Sequence, residues 1–351
     1  KTDFSDPNWA FASRFNFLEL FYKFLPSSYD TVRPAGLPFV YCGILTLIMV
    51  PVYFKRITES GSIVTVLYVF LLAFLFLGLS YLTPKVKLKA LYPLIALAML
   101  LVCSINIFEY SMTISSLFFK NTPFLLIIIF FWFAMVFGAY GNIGKLNLFF
   151  TPIIYTVVFL MLIFTFSDGN YYYLFPILGK GYNQVFREGF FMLSSLFELV
   201  VLIFIPDMLK DKKALKKVTV VSLIFSLIIF LVITSACLVT VHTDLPENCF
   251  SPLFLILRQI KIGTYFQHPD TAFLIIYFIS AFLYLSTMLY FSAHIFALSC
   301  RKLSKKMFFI PFSIVILILG INGSTLMNTS DFLNKVLWLF PFVVPLFLRR
   351  S

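Results

Sequence analysis

Acidic residues are scarce in this chain, with 15 Asp and Glu in 351 residues, and histidine (3) and cysteine (5) are scarcer still. His242, His268 and His294 are scattered too widely for metal-ligand spacing. Cys42, Cys103, Cys237, Cys249 and Cys300 show no CxxC pattern, and most fall in or beside apolar runs where they act as small hydrophobes. Neither a disulfide framework nor a metal centre is expected. Gly179-Lys180-Gly181 lacks the spacing of a phosphate-binding loop, and no nucleophile and base stand together, so no catalytic residue, enzyme activity or cofactor is expected. Charge of any sign is low, at 12%, against 61% hydrophobic residues and a mean hydropathy of +0.97. That is more apolar surface than a water-soluble core of this length hides, and the chain reads as a polytopic membrane protein. A net charge of +12 is compatible with nucleic acid binding, but the basic residues fall in short clusters between apolar runs. There they read as loops at the lipid bilayer surface, and no nucleic acid partner is expected. No signal-peptide pattern is visible at the start.

Residues 1–32 mix Trp9, Phe11, Phe15, Phe17, Phe21 and Tyr22 with Asp3, Asp6, Arg14, Glu19 and Lys23, too many charges for a spanning segment. They read as an amphipathic N-terminal lead-in, followed by a single transmembrane domain over 33–351. After Arg33 ten apolar segments are drawn, at roughly 36–54, 62–82, 90–118, 122–140, 147–167, 188–207, 218–240, 272–298, 307–325 and 332–348. Each is long enough, or nearly so, to cross about 30 Å of hydrocarbon as a helix. Alternate loops hold fifteen Lys and Arg on one side, in groups such as Lys85, Lys87 and Lys89, Lys210 to Lys217, and Arg301 to Lys306, against eight on the other. By the positive-inside rule this gives ten helices with both ends in the cytoplasm. The longest outside connection, 241–271, holds a helix-like run from Pro252 to Ile260 ended by Gly263, read as a cover over a vestibule or as an interfacial helix.

The sixth segment, Gly189 to Pro206, carries Glu198 inside an apolar run behind Ser194 and Ser195. A central acidic residue costs roughly 2.5 to 3.5 kcal/mol on insertion scales, so it is neutral, paired or facing a wet cavity. Glu198 is therefore a site candidate, with a bond to a neighbouring helix as the structural alternative. In transporters built as inverted repeats, broken helices expose half-helix ends at the midplane. A 5+5 arrangement pairs the sixth segment with the first, which carries Gly36, Pro38 and Gly43. Glu109 lies in the third segment near Asn106 and Tyr110, read either as an interior group or as one near the headgroups. The eighth segment has a polar side of Tyr284, Ser286, Thr287, Tyr290, Ser292 and His294. Most of these read as helix–helix hydrogen-bonding groups. Asn106, Tyr284 and Thr287 are carried as candidate substrate-binding residues.

Four stretches stand in order over half the chain: KNTP at Lys120 to Pro123, LFPILGKG at Leu174 to Gly181, FELVVLIFIPDMLKDKKALKK at Phe197 to Lys217, and the run from Ser251 to Ala297. On these residues, from about Lys120 to Ala297, the chain resembles the spore germination receptor B subunits, the endospore germination permease branch of the amino acid-polyamine-organocation transporter superfamily. The resemblance implies an all-α polytopic fold of about ten helices, a transporter-like 5+5 inverted repeat with helices 1 and 6 broken around a nutrient-sized pocket. The family's helix-six residues map onto Ser194, Ser195, Phe197 and Glu198, and the nearest match to its first helix, at Cys42 to Leu47, adds Gly43 and Ile44. It further implies a germinant-binding subunit in the inner membrane of the bacterial spore. Its partners are a small-molecule nutrient such as an amino acid, a larger A subunit and a C-subunit lipoprotein. Two other readings stand beside it: a secondary amino acid transporter coupled to H⁺ or Na⁺, and a structural membrane subunit with a vestigial pocket.

The charge count has a direct check. In cysteine-accessibility labelling, a reagent added from outside is expected to reach an engineered site near Asn248 and to miss one near Lys213; the opposite pattern overturns the topology.

Overall fold

The computed structural model describes residues 63–82, 91–119, 121–141, 150, 153–154, 156, 171–174, 181–192, 212–240, 269–300 and 304–324. Among them are seven α-helices and one 3₁₀ turn, with no strand. In chain order the helices are α1 (Val64–Leu82), α2 (Leu91–Leu117), α3 (Phe124–Tyr140), α4 (Tyr182–Met192), α5 (Lys212–Thr240), α6 (Pro269–Ser299) and α7 (Lys306–Ile321). The 3₁₀ turn is Tyr171–Leu174, between α3 and α4.

Where no water reaches the backbone, each N–H and C=O must be bonded within the segment, so an apolar run in lipid becomes a helix whatever its intrinsic propensity. The punctuation is local. Pro123 stands directly before α3, where its missing N–H costs nothing, and Gly141 closes the helix by donating to the carbonyls of Phe137 and Gly138. α4 starts at Gly181, which sits at φ 111, a region that side chains disfavour, while its carbonyl accepts from the N–H groups of Gln184 and Val185.

α2 and α6 are long and apolar enough to cross a membrane, with mean hydropathy of 2.2 and 1.9 over their spans. The outward surface agrees. Leu126, Phe130, Phe133 and Phe137 form one exposed stripe down α3, Phe137 at 77% exposure, and Ile310, Ile314, Ile318 and Ile321 do the same on α7. Soluble monomers rarely expose apolar surface in such continuous strips, whereas lipid tails receive it without cost. Among the described residues the protein is all-helical, as a membrane protein of this composition requires.

Six predicted segments, the second, third, fourth, seventh, eighth and ninth, coincide with α1, α2, α3, α5, α6 and α7. The sixth overlaps only the end of α4, which begins earlier, in the amphipathic stretch Tyr182-Asn183-Gln184-Val185-Phe186-Arg187. The remainder of that segment, the first and tenth segments, the lead-in 1–32 and the connection 241–268 lie outside the described residues. Of the fifth, Phe150, Ile153, Ile154 and Thr156 are described, and all are helical.

Packing divides the helices into two groups. α2, α3, α6 and α7 form a block in which each helix packs against the other three. α1 packs against α4 and α5, with Tyr68 meeting Phe186 edge-on at 4.9 Å and Phe70 meeting Phe230 at 5.9 Å. Buried apolar residues of both groups belong to one continuous core.

Within the block, α3 meets α6 at Gly138, where an added Cβ would overlap the Ser286 hydroxyl and come within 2.9 Å of the Phe282 ring. Small residues are what let helices approach closely in lipid, where burial itself gives little drive. Gly138→Ala is expected to destabilise the protein by about 1 to 3 kcal/mol, read as a lower melting temperature of the purified protein. Pairing it with Ser286→Gly, which removes both offending Ser286 atoms, should recover part of the loss; a silent Gly138→Ala would refute this contact.

Candidate polar seam between the two long spans

The two helices long and apolar enough to cross a membrane, α2 and α6, meet along a line of polar side chains. Asn106 of α2 donates from Nδ2 to the Tyr284 hydroxyl of α6 at 3.0 Å, and both residues are buried. Seven residues further along α2, the Thr113 side chain stands beside that of Tyr277, seven residues earlier on α6. The helices therefore run antiparallel, and residues midway between these contacts, Glu109 and Tyr110 on α2 and Ser280 on α6, stand at one level. Tyr110 fills the middle, its ring edge-on to Tyr277 at 5.5 Å and to Tyr284 at 6.2 Å. Aromatic edges meeting faces fix the register of the two helices beyond what simple area burial would do.

The donors in this seam are largely committed. Asn106 Nδ2 also donates to the Val102 carbonyl at 2.9 Å, so both of its N–H groups are used and Oδ1 remains an acceptor. The Thr287 hydroxyl gives its proton to the Leu283 carbonyl at 2.7 Å, one turn back on its own helix. Ser104 and Ser111 do the same to Leu100 and Ile107, at 2.8 and 2.7 Å. A hydroxyl that donates to its own helix presents only lone pairs to anything else.

Glu109 adds a carboxylate to this set. It lies roughly 7 to 8 Å along α2 from the helix centre and is half-buried. It forms no hydrogen bond or ion pair among the described residues. The Ser280 hydroxyl at the same level is buried, without a hydrogen-bond partner there. The seam thus joins one carboxylate to several acceptor oxygens, a combination suited to a ligand that brings N–H donors and positive charge.

Of the sequence-derived candidates, the structure brings Asn106 and Tyr284 into direct contact and places Thr287 about one turn beyond Tyr284 on α6. Asn106 and Tyr284 thereby make the helix–helix bond that the sequence reading gave to most polar residues of the eighth segment. Gly43, Ile44, Ser194, Ser195, Phe197 and Glu198 lie outside the described residues. Thr113, Tyr277 and Ser280 were not singled out from sequence; the signal for the latter two was their i−7 and i−4 spacing from Tyr284 on one helical face. Among the described residues no cluster of three His, Cys, Asp or Glu is placed to hold a metal ion.

Comparison with known families locates this seam within a recognised unit. A family model described as spore germination protein matches residues 89–325, more than half of the chain and a stretch that runs from before α2 to beyond the end of α7. Asn106, Glu109, Glu198, Tyr284 and Thr287 lie inside the match, while Gly43 and Ile44 lie before it. No curated protein matches the chain.

A double-mutant cycle measures the contact that ties the seam. With Asn106→Leu and Tyr284→Phe, thermal unfolding in detergent is expected to give a coupling energy of about 0.6 to 1.7 kcal/mol, the range for such bonds between membrane helices. Strictly additive single variants would show that the two side chains do not bond.

Proposed function

The chain belongs to the spore germination protein family, and on that premise we propose that it is the nutrient-binding integral membrane subunit of a germination receptor. The observation that carries the reading is the seam: a carboxylate and acceptor oxygens gathered along α2 and α6, inside the matched region. Such a surface complements a small amine-bearing nutrient, an amino acid being the simplest. Family context supports assembly with an A subunit and a C-subunit lipoprotein, and residence in the inner membrane of the spore. It also supports a ten-helix, 5+5 fold with helices 1 and 6 broken, in which Gly43, Ile44, Ser194, Ser195, Phe197 and Glu198 line the pocket opposite the seam.

A second reading shares the same site. A carboxylate with no hydrogen bond or ion pair among the described residues is also what a coupled carrier uses, so a secondary amino acid transporter driven by H⁺ or Na⁺ is the alternative. Uptake of labelled amino acid by the chain alone in proteoliposomes would favour the carrier. Binding without uptake favours the sensor, whose conformational change is read by its partners.

The direct test is a thermal-shift screen of the purified membrane protein, with and without its partners, against amino acids, sugars and nucleosides. A true ligand at about 100 times its dissociation constant stabilises by about 2.7 kcal/mol. Glu198→Gln is then expected to weaken the response to an amine-bearing hit by about 10-fold to 150-fold, the loss of one charge-assisted contact, while leaving the protein in the membrane. An unchanged response would remove Glu198 as counter-charge; failure to accumulate would make it a packing residue.

A further inference from the structure

At the opposite end of α6 from Tyr277, the connection into α7 concentrates positive charge. Residues 301–306 read Arg-Lys-Leu-Ser-Lys-Lys, four cations with no carboxylate among them. Lys305 does not wave freely. Its ammonium donates to the Tyr290 hydroxyl and lies 4.4 Å from the centroid of that ring. Tyr290 is itself held by aromatic neighbours, stacked on His294 at 6.3 Å, edge-on to Phe291 at 5.6 Å and tilted against Phe309 at 6.0 Å. Tyr140, at the end of α3, donates its hydroxyl to the Lys306 carbonyl at 3.5 Å and sets its ring edge-on to Phe309 at 5.1 Å.

These contacts orient the charge of Lys305 without neutralising it, because a phenol and a ring face carry no formal charge. Lys305 and Lys306 form no ion pair among the described residues. On α3, α6 and α7 the single carboxylate is Asp270, in the first turn of α6 and roughly 30 Å of helix away from Tyr290. Below the lysines an apolar strip descends α7 through Met307, Ile310 and Ile314, which are 61%, 54% and 43% exposed. Cations at the head of an exposed aliphatic strip, with Tyr140 at the end of α3 beside them, match an amphiphile with an anionic head.

We propose that the α6–α7 turn is a binding site for an anionic phospholipid of the bilayer, its phosphodiester on Lys305 and Lys306 and its acyl chain along Met307, Ile310 and Ile314. Ser304, exposed beside the lysines, supplies a hydroxyl donor to the phosphate oxygens. Tyr290 acts as the positioning residue for Lys305. A lipid rather than a soluble anion is indicated by the aliphatic strip, which a free phosphate would leave uncovered.

The test uses the full chain in nanodiscs of phosphatidylcholine, with or without added phosphatidylglycerol, and reads melting temperature and retained lipid by native mass spectrometry. Phosphatidylglycerol is expected to raise the melting temperature and to remain bound. Lys305→Gln and Lys306→Gln should each weaken its retention about fivefold, the effect of one basic residue near an anionic surface, while melting like the parent in pure phosphatidylcholine. Tyr290→Phe, which keeps the ring and removes the hydroxyl, should give a smaller loss in the same direction. The control Lys216→Gln removes the same single charge elsewhere in the chain. Equal loss in that control would overturn the site in favour of general charge attraction, and equal stabilisation by inorganic phosphate would overturn the lipid assignment.

Discussion

Polar groups inside hydrocarbon must find a partner, and most of this architecture follows from where those partners are. Lipid tails are as apolar as leucine, so bringing two greasy helices together gains little from burial. Close approach and hydrogen bonds have to supply the rest. The Asn106–Tyr284 bond, the overlap-free fit of Gly138 against Ser286, and the bond from Trp132 Nε1 to the Ser313 carbonyl at 2.8 Å are three instances, one each for α2 with α6, α3 with α6, and α3 with α7. Between them the aromatic rings of Tyr110, Phe131 and Phe278 fill the interior, the last two stacked at 5.3 Å. Four helices held this way form the frame on which the seam is displayed.

Much of that frame was legible in the sequence, because the free-energy cost of exposing backbone in lipid turns hydropathy almost directly into helices. α2, α3 and α6 end within a few residues of the segments drawn from apolar content alone. The start of α4 was not legible by the same means. Tyr182 to Arg187 mixes polar and apolar residues in pairs, so it carries no sustained apolar run, and the helix there is set by a glycine turn and by packing of Phe186 and Gly189 on Tyr68.

The seam was half legible for a different reason. Asn106, Tyr284 and Thr287 announce themselves as polar residues in apolar runs, and each run can be read alone. That Asn106 faces Tyr284 rather than Ser286 or Tyr290 depends on the relative rotation and offset of two helices separated by a long stretch of chain. No one-dimensional pattern encodes that offset. Thr113 and Tyr277 were missed because a threonine and a tyrosine in a membrane helix are ordinary until they are known to lie opposite each other. Gly138 was missed likewise, since glycine is common in such helices and only the neighbour it admits gives it meaning.

The mutual packing of α2, α3, α6 and α7 has a kinematic consequence. With every pair in contact, a translation of any one helix must repack three interfaces at once, and close-packed interiors resist continuous deformation. The block therefore has few soft degrees of freedom. Among the described residues, α1 packs on α4 and α5, and α5 on the 3₁₀ turn. The four-helix block is thus the part of the described structure least able to change shape by sliding one helix past another.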